Sequence, residues 1–212
     1  MPSFLVVLDV DSTLIEQEAI ELIAAEAGSL ETVAAITARA MAGELDFAAS
    51  LVERVATLAQ LEVDALARVA PRISLTAGAR ELVDGVHKAG GWVGVVSGGF
   101  HELLDPIAAD LGLDRYRANR LEAINGRLTG LTVGPVIDAE AKAQALREWA
   151  SEASIPLHRT VAVGDGANDL AMMAAAGLSI AFDAKPLVRE RAHLSLAQRD
   201  LSAILSVLGL RG

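Results

Sequence analysis

The fold of this chain is decided by the stretch Phe4-Leu5-Val6-Val7-Leu8-Asp9-Val10-Asp11-Ser12-Thr13. Five consecutive apolar residues that end in small polar ones are typical of a buried parallel strand running into a loop. In α/β proteins, ligands bind at the carboxyl ends of such strands. Two carboxylates one residue apart, Asp9 and Asp11, are unfavourable there unless a cation or a proton separates their charges. The stretch therefore predicts a metal and reaction site.

The composition limits the class of protein. A length of 212 residues suits one α/β domain with an insertion, and a net charge of −10 argues against nucleic acid as a partner. The absence of cysteine excludes disulfides, thiolate catalysis and Cys-ligated metal. No apolar run approaches the roughly 18 residues of a membrane span, and no secretory signal precedes the first strand. We therefore expect a cytoplasmic protein without a membrane partner; the oligomeric state stays open.

Strand-like and helix-like segments alternate along the chain. Further apolar runs, each followed by a polar loop, occur at Trp92–Val96, Thr160–Val163 and Ser179–Phe182. Helical patterns precede two of them, at Ala77–Ala89 and Ala139–Ser151, and we expect the helix before Ser179–Phe182 to end at Gly177. This alternation predicts a Rossmann-like α/β fold, with a parallel sheet covered by helices on both faces.

Residues 16–71 break the alternation because they contain helical patterns and no strand-like run. Leu51, Val55 and Leu58 share one face of a predicted helix, and Arg54 lies beside that face. We predict a helical cap domain at 16–71, inserted into an α/β core formed by 1–15 and 72–212. An insertion after the first strand would lie over the reaction site.

A second, smaller excursion covers Arg120–Val133. Asn125-Gly126 is a strong two-residue turn signal, and the flanking residues alternate only roughly between apolar and polar. We predict a short β-hairpin flap.

Further polar groups follow the other predicted strands. An Asp-x-Asp after a strand can be a simple helix cap, but Gly164-Asp165-Gly166-Ala167-Asn168-Asp169 adds two more carboxylates at the same sheet edge. Four converging acids indicate a hard cation with oxygen ligands, and Mg²⁺ suits them best. Ser97-Gly98-Gly99 is either an ordinary turn or a phosphate cradle. Lys142, near a helix start, is either a surface residue or recruited to an anion.

These pieces occur in the order Asp-Val-Asp-Ser-Thr, Val-Ser-Gly-Gly-Phe, a Lys before a helix, and Gly-Asp-Gly-Ala-Asn-Asp. In this order they resemble the four motifs of the haloacid dehalogenase superfamily. Segments outside the motifs, such as Met41–Phe47 and Ala184-Lys185-Pro186, resemble the phosphoserine phosphatase family within it. The resemblance extends from residue 4 to about residue 208.

The resemblance implies a role for each matching residue. Asp9 would be the nucleophile that becomes an aspartyl phosphate, and Asp11 the general acid and base. Mg²⁺ would be held by Asp9, Asp11 (through its backbone carbonyl) and Asp165, with Asp169 in support. The phosphoryl oxygens would be held by Ser97, Gly98 and Lys142, with Asn168 beside the substrate and with Glu18 and Arg54 recognising its amino-acid part.

The expected function is Mg²⁺-dependent hydrolysis of O-phospho-L-serine to L-serine and phosphate, the last step of serine biosynthesis. An acid and an arginine complement the ammonium and carboxylate of that substrate. Two alternatives keep the chemistry: another capped phosphomonoesterase, or a phosphotransferase from phosphoserine to homoserine. A third, non-enzymatic alternative is a receiver-like switch phosphorylated on aspartate, which the helical insertion and the Gly-Asp-Gly-Ala-Asn-Asp loop disfavour.

Overall fold

The computed structural model of the chain describes residues 2–210, so residues 1, 211 and 212 of the predicted core lie outside the described residues. Seven strands form one sheet in the order β4-β3-β2-β1-β5-β6-β7. All neighbouring strands are parallel except β3 and β4. The strands are β1 Leu5–Leu8, β2 Trp92–Phe100, β3 Arg115–Ile124, β4 Arg127–Val133, β5 Thr160–Gly164, β6 Leu178–Phe182 and β7 Leu194–Leu196. The predicted α/β fold class is confirmed.

Ten α-helices are present among the described residues. They are α1 Ala19–Ala27, α2 Leu30–Met41, α3 Phe47–Ala56, α4 Asp64–Val69, α5 Ala79–Lys88, α6 His101–Leu111, α7 Ala139–Glu152, α8 Leu170–Ala175, α9 Pro186–Arg191 and α10 Ala203–Val207. Within residues 2–210, no helix has both the length and the apolar character needed to cross a bilayer.

Strand β1 lies at the centre of the sheet and all four of its residues are fully buried. Val6 and Leu8 pack into the cluster formed with α5, α6 and α10, whereas Leu5 and Val7 pack into the cluster formed with α7, α8 and α9. This two-sided burial explains why β1 is a continuous apolar run. It also places the residues after Leu8 in the middle of the carboxyl edge of the sheet.

Helices α1–α4 form the insertion between β1 and α5, and they pack in an apolar core that also includes Phe100 of β2 and Leu103 of α6. That core contains the predicted stripe of Leu51, Val55 and Leu58, together with residues of α1, α2 and α4. Leu121 and Leu128 of the β3–β4 hairpin join the same core. The helical insertion and the hairpin are therefore confirmed as elements, while the exact division at residues 15/16 and 71/72 stays a prediction.

Two local features differ from the sequence-based expectation. The Ser97-Gly98-Gly99 segment, expected as a loop, lies within β2, whose pairing with β3 shifts register between Val96 and Phe100. The expected helix closure at Gly177 is also different, because α8 ends at Ala175. A Cβ at Gly177 would lie 2.5 Å from backbone atoms of His158, so this glycine permits a close approach of two chain segments.

The packing of α7 on the sheet gives a testable prediction. A Cβ on Gly94 of β2 would lie 2.8 Å from ring carbons of the buried Trp149 on α7. We expect Gly94→Ala to lower the free energy of unfolding by about 1–3 kcal/mol through overpacking. Urea denaturation of G94A, W149F and the double variant checks this. Additive losses would contradict the proposed clash, because a smaller ring should relieve it.

Candidate active site

A cleft of about 510 Å³ lies between the carboxyl edge of the sheet and helices α2 and α3. Most of the predicted site residues line it, namely Asp9, Asp11, Glu18, Arg54, Gly98, Asp165 and Asn168. Three others, Ser97, Lys142 and Asp169, are buried and are hydrogen-bonded to residues of the cleft wall or of its loops. The structure therefore brings all ten predicted site residues into one region.

The chain turns sharply after β1. The backbone N–H of Asp9 still pairs with the carbonyl of Val163 on β5, at 2.9 Å. The turn closes when the N–H of Ile15 donates to the carbonyl of Val10, at 3.0 Å. Ser12 adopts a left-handed conformation, with φ of 57°. This tight turn keeps Asp9 and Asp11 at the sheet edge.

Lys142 is a fully buried cation held between two carboxylates. Its Nζ lies 2.7 Å from Oδ1 of Asp9 and 2.8 Å from Oδ1 of Asp169. Asp138 caps α7 by accepting the N–H of Ala141, which places Lys142 in the first turn of that helix. Burial alone would lower the pKa of Lys142, but the two carboxylates outweigh it and raise the pKa, so the ammonium stays charged. Lys142 is therefore not a surface residue; it is buried and paired with two carboxylates.

The same surroundings also shift the pKa of Asp9. Burial, and next the charge of Asp169, raise the pKa of Asp9 well above its ordinary value, although Lys142 opposes this rise. Oδ1 of Asp9 also accepts the N–H of Val10, at 2.7 Å. Both contacts use Oδ1, and they orient the carboxylate so that Oδ2 is the oxygen left for a ligand.

The loop after β5 is organised by Asp169. Its Oδ1 receives Lys142, and its Oδ2 accepts the N–H groups of Asp165 and Gly166 at 3.1 and 3.0 Å. A Cβ on Gly164 would lie 2.3 Å from Oδ2 of Asp169, so only glycine fits beside this carboxylate. Asp169 therefore shapes the loop that presents Asp165 to the cleft.

Carboxylate oxygens of Asp9, Asp165 and Asp169 can lie within 4.8 Å of one another. Burial, followed by the charge of Asp169, raises the pKa of Asp165 from 3.8 to about 6. Oxygen donors at this separation suit a hard divalent cation, which would also relieve the repulsion that raises these pKa values.

Asp11 is held by hydrogen bonds to both of its oxygens. Oδ1 accepts the N–H of Ala19, at 2.7 Å, and Oδ2 accepts the hydroxyl of Ser97, at 3.1 Å. Burial, followed by the charge of Glu18, raises the pKa of Asp11 from 3.8 to about 6. A carboxyl group with this pKa can both release and accept a proton near neutral pH.

The insertion contributes the opposite wall of the cleft. Glu18 accepts the hydroxyl of Ser12, at 2.7 Å, and Arg54 uses its Nε to bind the carbonyl of Ser50, at 3.2 Å. Phe47 at the start of α3 packs on Gly98, where a Cβ would lie only 2.6 Å from the ring. An acid and an arginine thus face the cleft from above, while the carboxylates of the core face it from below.

Some residues of the site were not given a role by the sequence reasoning. Thr13 donates to Oδ1 of Asp165 at 3.3 Å, and the buried Asn119 donates to the carbonyl of Gly98 at 2.8 Å while it accepts the N–H of Ile137 at 2.9 Å. Thr13 belongs to the polar stretch directly after the first apolar run, so the sequence places it at the same edge of the sheet as Asp9 and Asp11. No local pattern marked Asn119, because its partners are distant in sequence.

Comparison with known proteins identifies the family. A family model for haloacid dehalogenase-like hydrolases matches residues 6–174. The chain belongs to this family. Among curated relatives, it is 52% identical over 206 residues to "Phosphoserine phosphatase" of Streptomyces coelicolor, covering 97% of this chain but 50% of that protein. It is 48% identical over 204 residues to "Phosphoserine phosphatase" of Streptococcus thermophilus, covering 96% and 95% of the two chains. The chain thus spans about half the length of some relatives and nearly all of others.

Solved structures agree with this assignment to the haloacid dehalogenase-like hydrolases. A "substrate bound phosphoserine phosphatase complex" and a "phospho-aspartyl intermediate analogue of phosphoserine phosphatase" each superpose with a TM-score of 0.92 at 43% identity. Each comparison covers 98% of this chain and 99% of the other. The family resemblance carried by the sequence motifs is confirmed.

The buried ion cluster of this haloacid dehalogenase-like hydrolase gives a prediction about stability and pH. In Lys142→Met, Asp9 loses the cation that opposes the burial-driven rise of its pKa, so its pKa in the folded protein rises further above the ordinary value of 3.8. Above that ordinary value the unfolded chain ionises Asp9 freely, whereas the folded variant must keep it protonated or ionise it without a partner, so stability is lost as pH rises. The variant should lose about 3–5 kcal/mol of unfolding free energy at pH 8, and clearly less at pH 5.

Urea denaturation in the presence of a chelator measures this effect. Lys88→Met, at the exposed end of α5, removes the same charge and should cost less than about 0.5 kcal/mol at either pH. An equal loss for Lys142→Met at pH 5 and pH 8 would show that packing, and not the charge of Lys142, supports the cluster.

Proposed function

We propose that this chain is a Mg²⁺-dependent phosphoserine phosphatase that forms L-serine and phosphate through an aspartyl phosphate on Asp9. The observation that carries the proposal is the shape of the cleft wall. Asp9, backed by Lys142, lies on one side with Asp165, while Glu18 and Arg54 lie on the other. The identity to named phosphoserine phosphatases over nearly the full chain supports it.

We also propose that residues 16–71 act as the cap domain of a core made of 1–15 and 72–212. The helices of the insertion pack in one apolar cluster, which they share with β2, α6 and the hairpin, and they supply one wall of the cleft. Under this proposal, the core performs the chemistry and the cap selects the substrate.

Mg²⁺ is proposed as the cation at Asp9 and Asp165, with the backbone carbonyl of Asp11 as a further ligand. When bound, it would neutralise the charge that builds up on the transferring phosphoryl oxygens and reduce their repulsion of Asp9. Both oxygens of Asp169 already receive hydrogen bonds, so we assign Asp169 to support of the Asp165 loop.

Asp9 is proposed to attack phosphorus while the bond between phosphorus and the serine oxygen breaks. Lys142 holds Oδ1 of Asp9, which favours its ionised form and aims it, and Gly98 and Ser97 in β2 steady the phosphoryl oxygens. Ser97 also fixes Asp11. Asn168 borders the substrate from the loop after β5.

Asp11 is proposed to donate its proton to the departing serine oxygen, because an alkoxide is too basic to leave unprotonated. The same carboxylate then removes a proton from the water that attacks phosphorus, which releases phosphate and restores Asp9. The hydrogen bonds from Ala19 and Ser97 hold Asp11 in place for both proton transfers.

Glu18 and Arg54 are proposed to bind the ammonium and the carboxylate of phosphoserine. The one hydrogen bond of Arg54 among the described residues uses Nε, so its two terminal nitrogens remain for a carboxylate. Burial lowers the pKa of Arg54 below its ordinary value, which reflects the poor hydration of this guanidinium. A carboxylate ligand would replace the water that it lacks.

The function is tested by phosphate release from a panel of phosphomonoesters, with Mg²⁺ and with chelator. We expect turnover of phosphoserine that depends on Mg²⁺ and is abolished in Asp9→Asn, which keeps the shape of the side chain but removes the nucleophile. Asp110→Asn, on the surface beside Arg80, is the matched control and should keep full activity. Hydrolysis of sugar phosphates but not of phosphoserine would overturn the proposal, as would an active Asp9→Asn.

Arg54→Ala separates phosphoserine from other substrates. Loss of a charge-assisted hydrogen bond of about 1.5–3 kcal/mol predicts an increase in KM for phosphoserine of roughly 10- to 100-fold. Turnover of an aryl phosphate that lacks an amino-acid part should change little. Arg39→Ala removes an arginine that pairs with Glu53 on the outer side of the insertion, and it should leave both reactions unchanged. Unaltered phosphoserine kinetics in Arg54→Ala would mean that the cap recognises another group.

A further inference from the structure

Negative charge dominates the wall of the cleft. Its basic side chains are Arg54 and Lys185, and its acidic side chains are Asp9, Asp11, Glu18 and Asp165. The whole chain adds to this field with a net charge of −10. A phosphomonoester dianion must therefore approach a surface that repels it, apart from the few cations placed there. Arg54 has a role in the proposed function, whereas Lys185 has none.

The backbone at Lys185 is fixed beside the metal-site loop. Its N–H donates to the carbonyl of Asp165, at 3.1 Å. The preceding Ala184 is buried, and Pro186 begins α9 directly after it. Asp183 adopts φ of 42° and donates its N–H to the carbonyl of Leu196, at 2.8 Å. These contacts hold the Cα of Lys185 next to Asp165 in a defined position.

The side chain of Lys185, in contrast, is exposed at the cleft. Within residues 2–210, no carboxylate lies within the 4.0 Å that defines an ion pair with its ammonium. A fixed backbone that carries an unpaired cation into a cleft is the arrangement expected of a residue that meets an anionic ligand.

The charge balance of the site supports the same conclusion. The five carboxylates of the cleft and its loops outnumber the three cations Lys142, Arg54 and Lys185. Without Lys185, only Lys142 and Arg54 would oppose them. Since Lys142 is buried between two carboxylates, Lys185 is the lysine that an incoming ligand can meet first.

We propose that Lys185 attracts the phosphate dianion into the cleft and binds it transiently on the Asp165 side, without taking part in bond making or breaking. The proposal rests on the proposed phosphatase function, because it assumes that a phosphate group enters this cleft. It assigns Lys185 to binding of the ligand, and not to the chemical step.

Binding of inorganic phosphate to the Mg²⁺-loaded protein provides the test, measured by calorimetry at low and high salt. At low ionic strength, Lys185→Ala should bind phosphate about 3- to 10-fold more weakly than wild type, and the difference should shrink at about 0.3 M salt because screening removes long-range attraction. Lys185→Arg should bind almost as wild type. Lys88→Ala removes the only other exposed lysine among the described residues and should have no effect.

Steady-state kinetics with phosphoserine add a second readout. In Lys185→Ala, KM should rise by a similar factor with kcat unchanged within about twofold. Phosphate affinities of Lys185→Ala and Lys88→Ala that are equal at low salt would overturn the inference, and so would a loss in Lys185→Ala that salt does not reduce.

The two proposals can fail separately. Phosphate binding that depends on Lys185, in a protein that does not hydrolyse phosphoserine, would overturn the proposed function and support the role of Lys185. Hydrolysis of phosphoserine with phosphate binding that does not depend on Lys185 would overturn only the inference about this lysine.

Discussion

The ion cluster of Lys142, Asp9 and Asp169 is the constraint on which the rest of the site depends. A fully buried ammonium is tolerated only when carboxylates surround it, and the two acids are tolerated only because the ammonium separates their charges. Its members come from the end of β1, the first turn of α7 and the loop after β5. The cluster therefore forms only when β1 and β5 pair in register and α7 packs on the sheet, which couples the assembled fold to the assembled site.

Close approach is the second constraint, and glycine satisfies it. At Gly164 a side chain would displace Asp169, and at Gly99 a Cβ would lie 2.8 Å from Oδ2 of Asp11. Both glycines have ordinary backbone angles, so their role is to leave space and not to permit a left-handed turn. The acids at the end of each strand can therefore approach the neighbouring backbone and gain the hydrogen bonds that fix them.

The extent to which the sequence predicts this structure depends on the range of the interactions involved. The buried strands, the helical insertion and the hairpin are encoded locally, by apolar periodicity and by the Asn125-Gly126 turn. The convergence of Asp9, Asp11 and Asp165 follows from strand order in a parallel sheet. The burial of Lys142 could not be read locally, since an isolated lysine near a helix start is usually at the surface. Its environment comes from two loops that are distant in sequence.

The start of the insertion is tied to the core by the turn that carries Asp11. Asp11 accepts the N–H of Ala19, the first residue of α1, so the insertion begins at the group proposed to carry the proton. Ser12, in the same turn as Asp11, donates its hydroxyl to Glu18, the residue directly before Ala19. The residues proposed to recognise the ammonium and to protonate the leaving oxygen are thus held by one short stretch of backbone. Under the proposed function, a substrate that draws Glu18 towards its ammonium would also act on the hydrogen bond between Asp11 and Ala19, and recognition by the insertion would then be joined to proton transfer in the core.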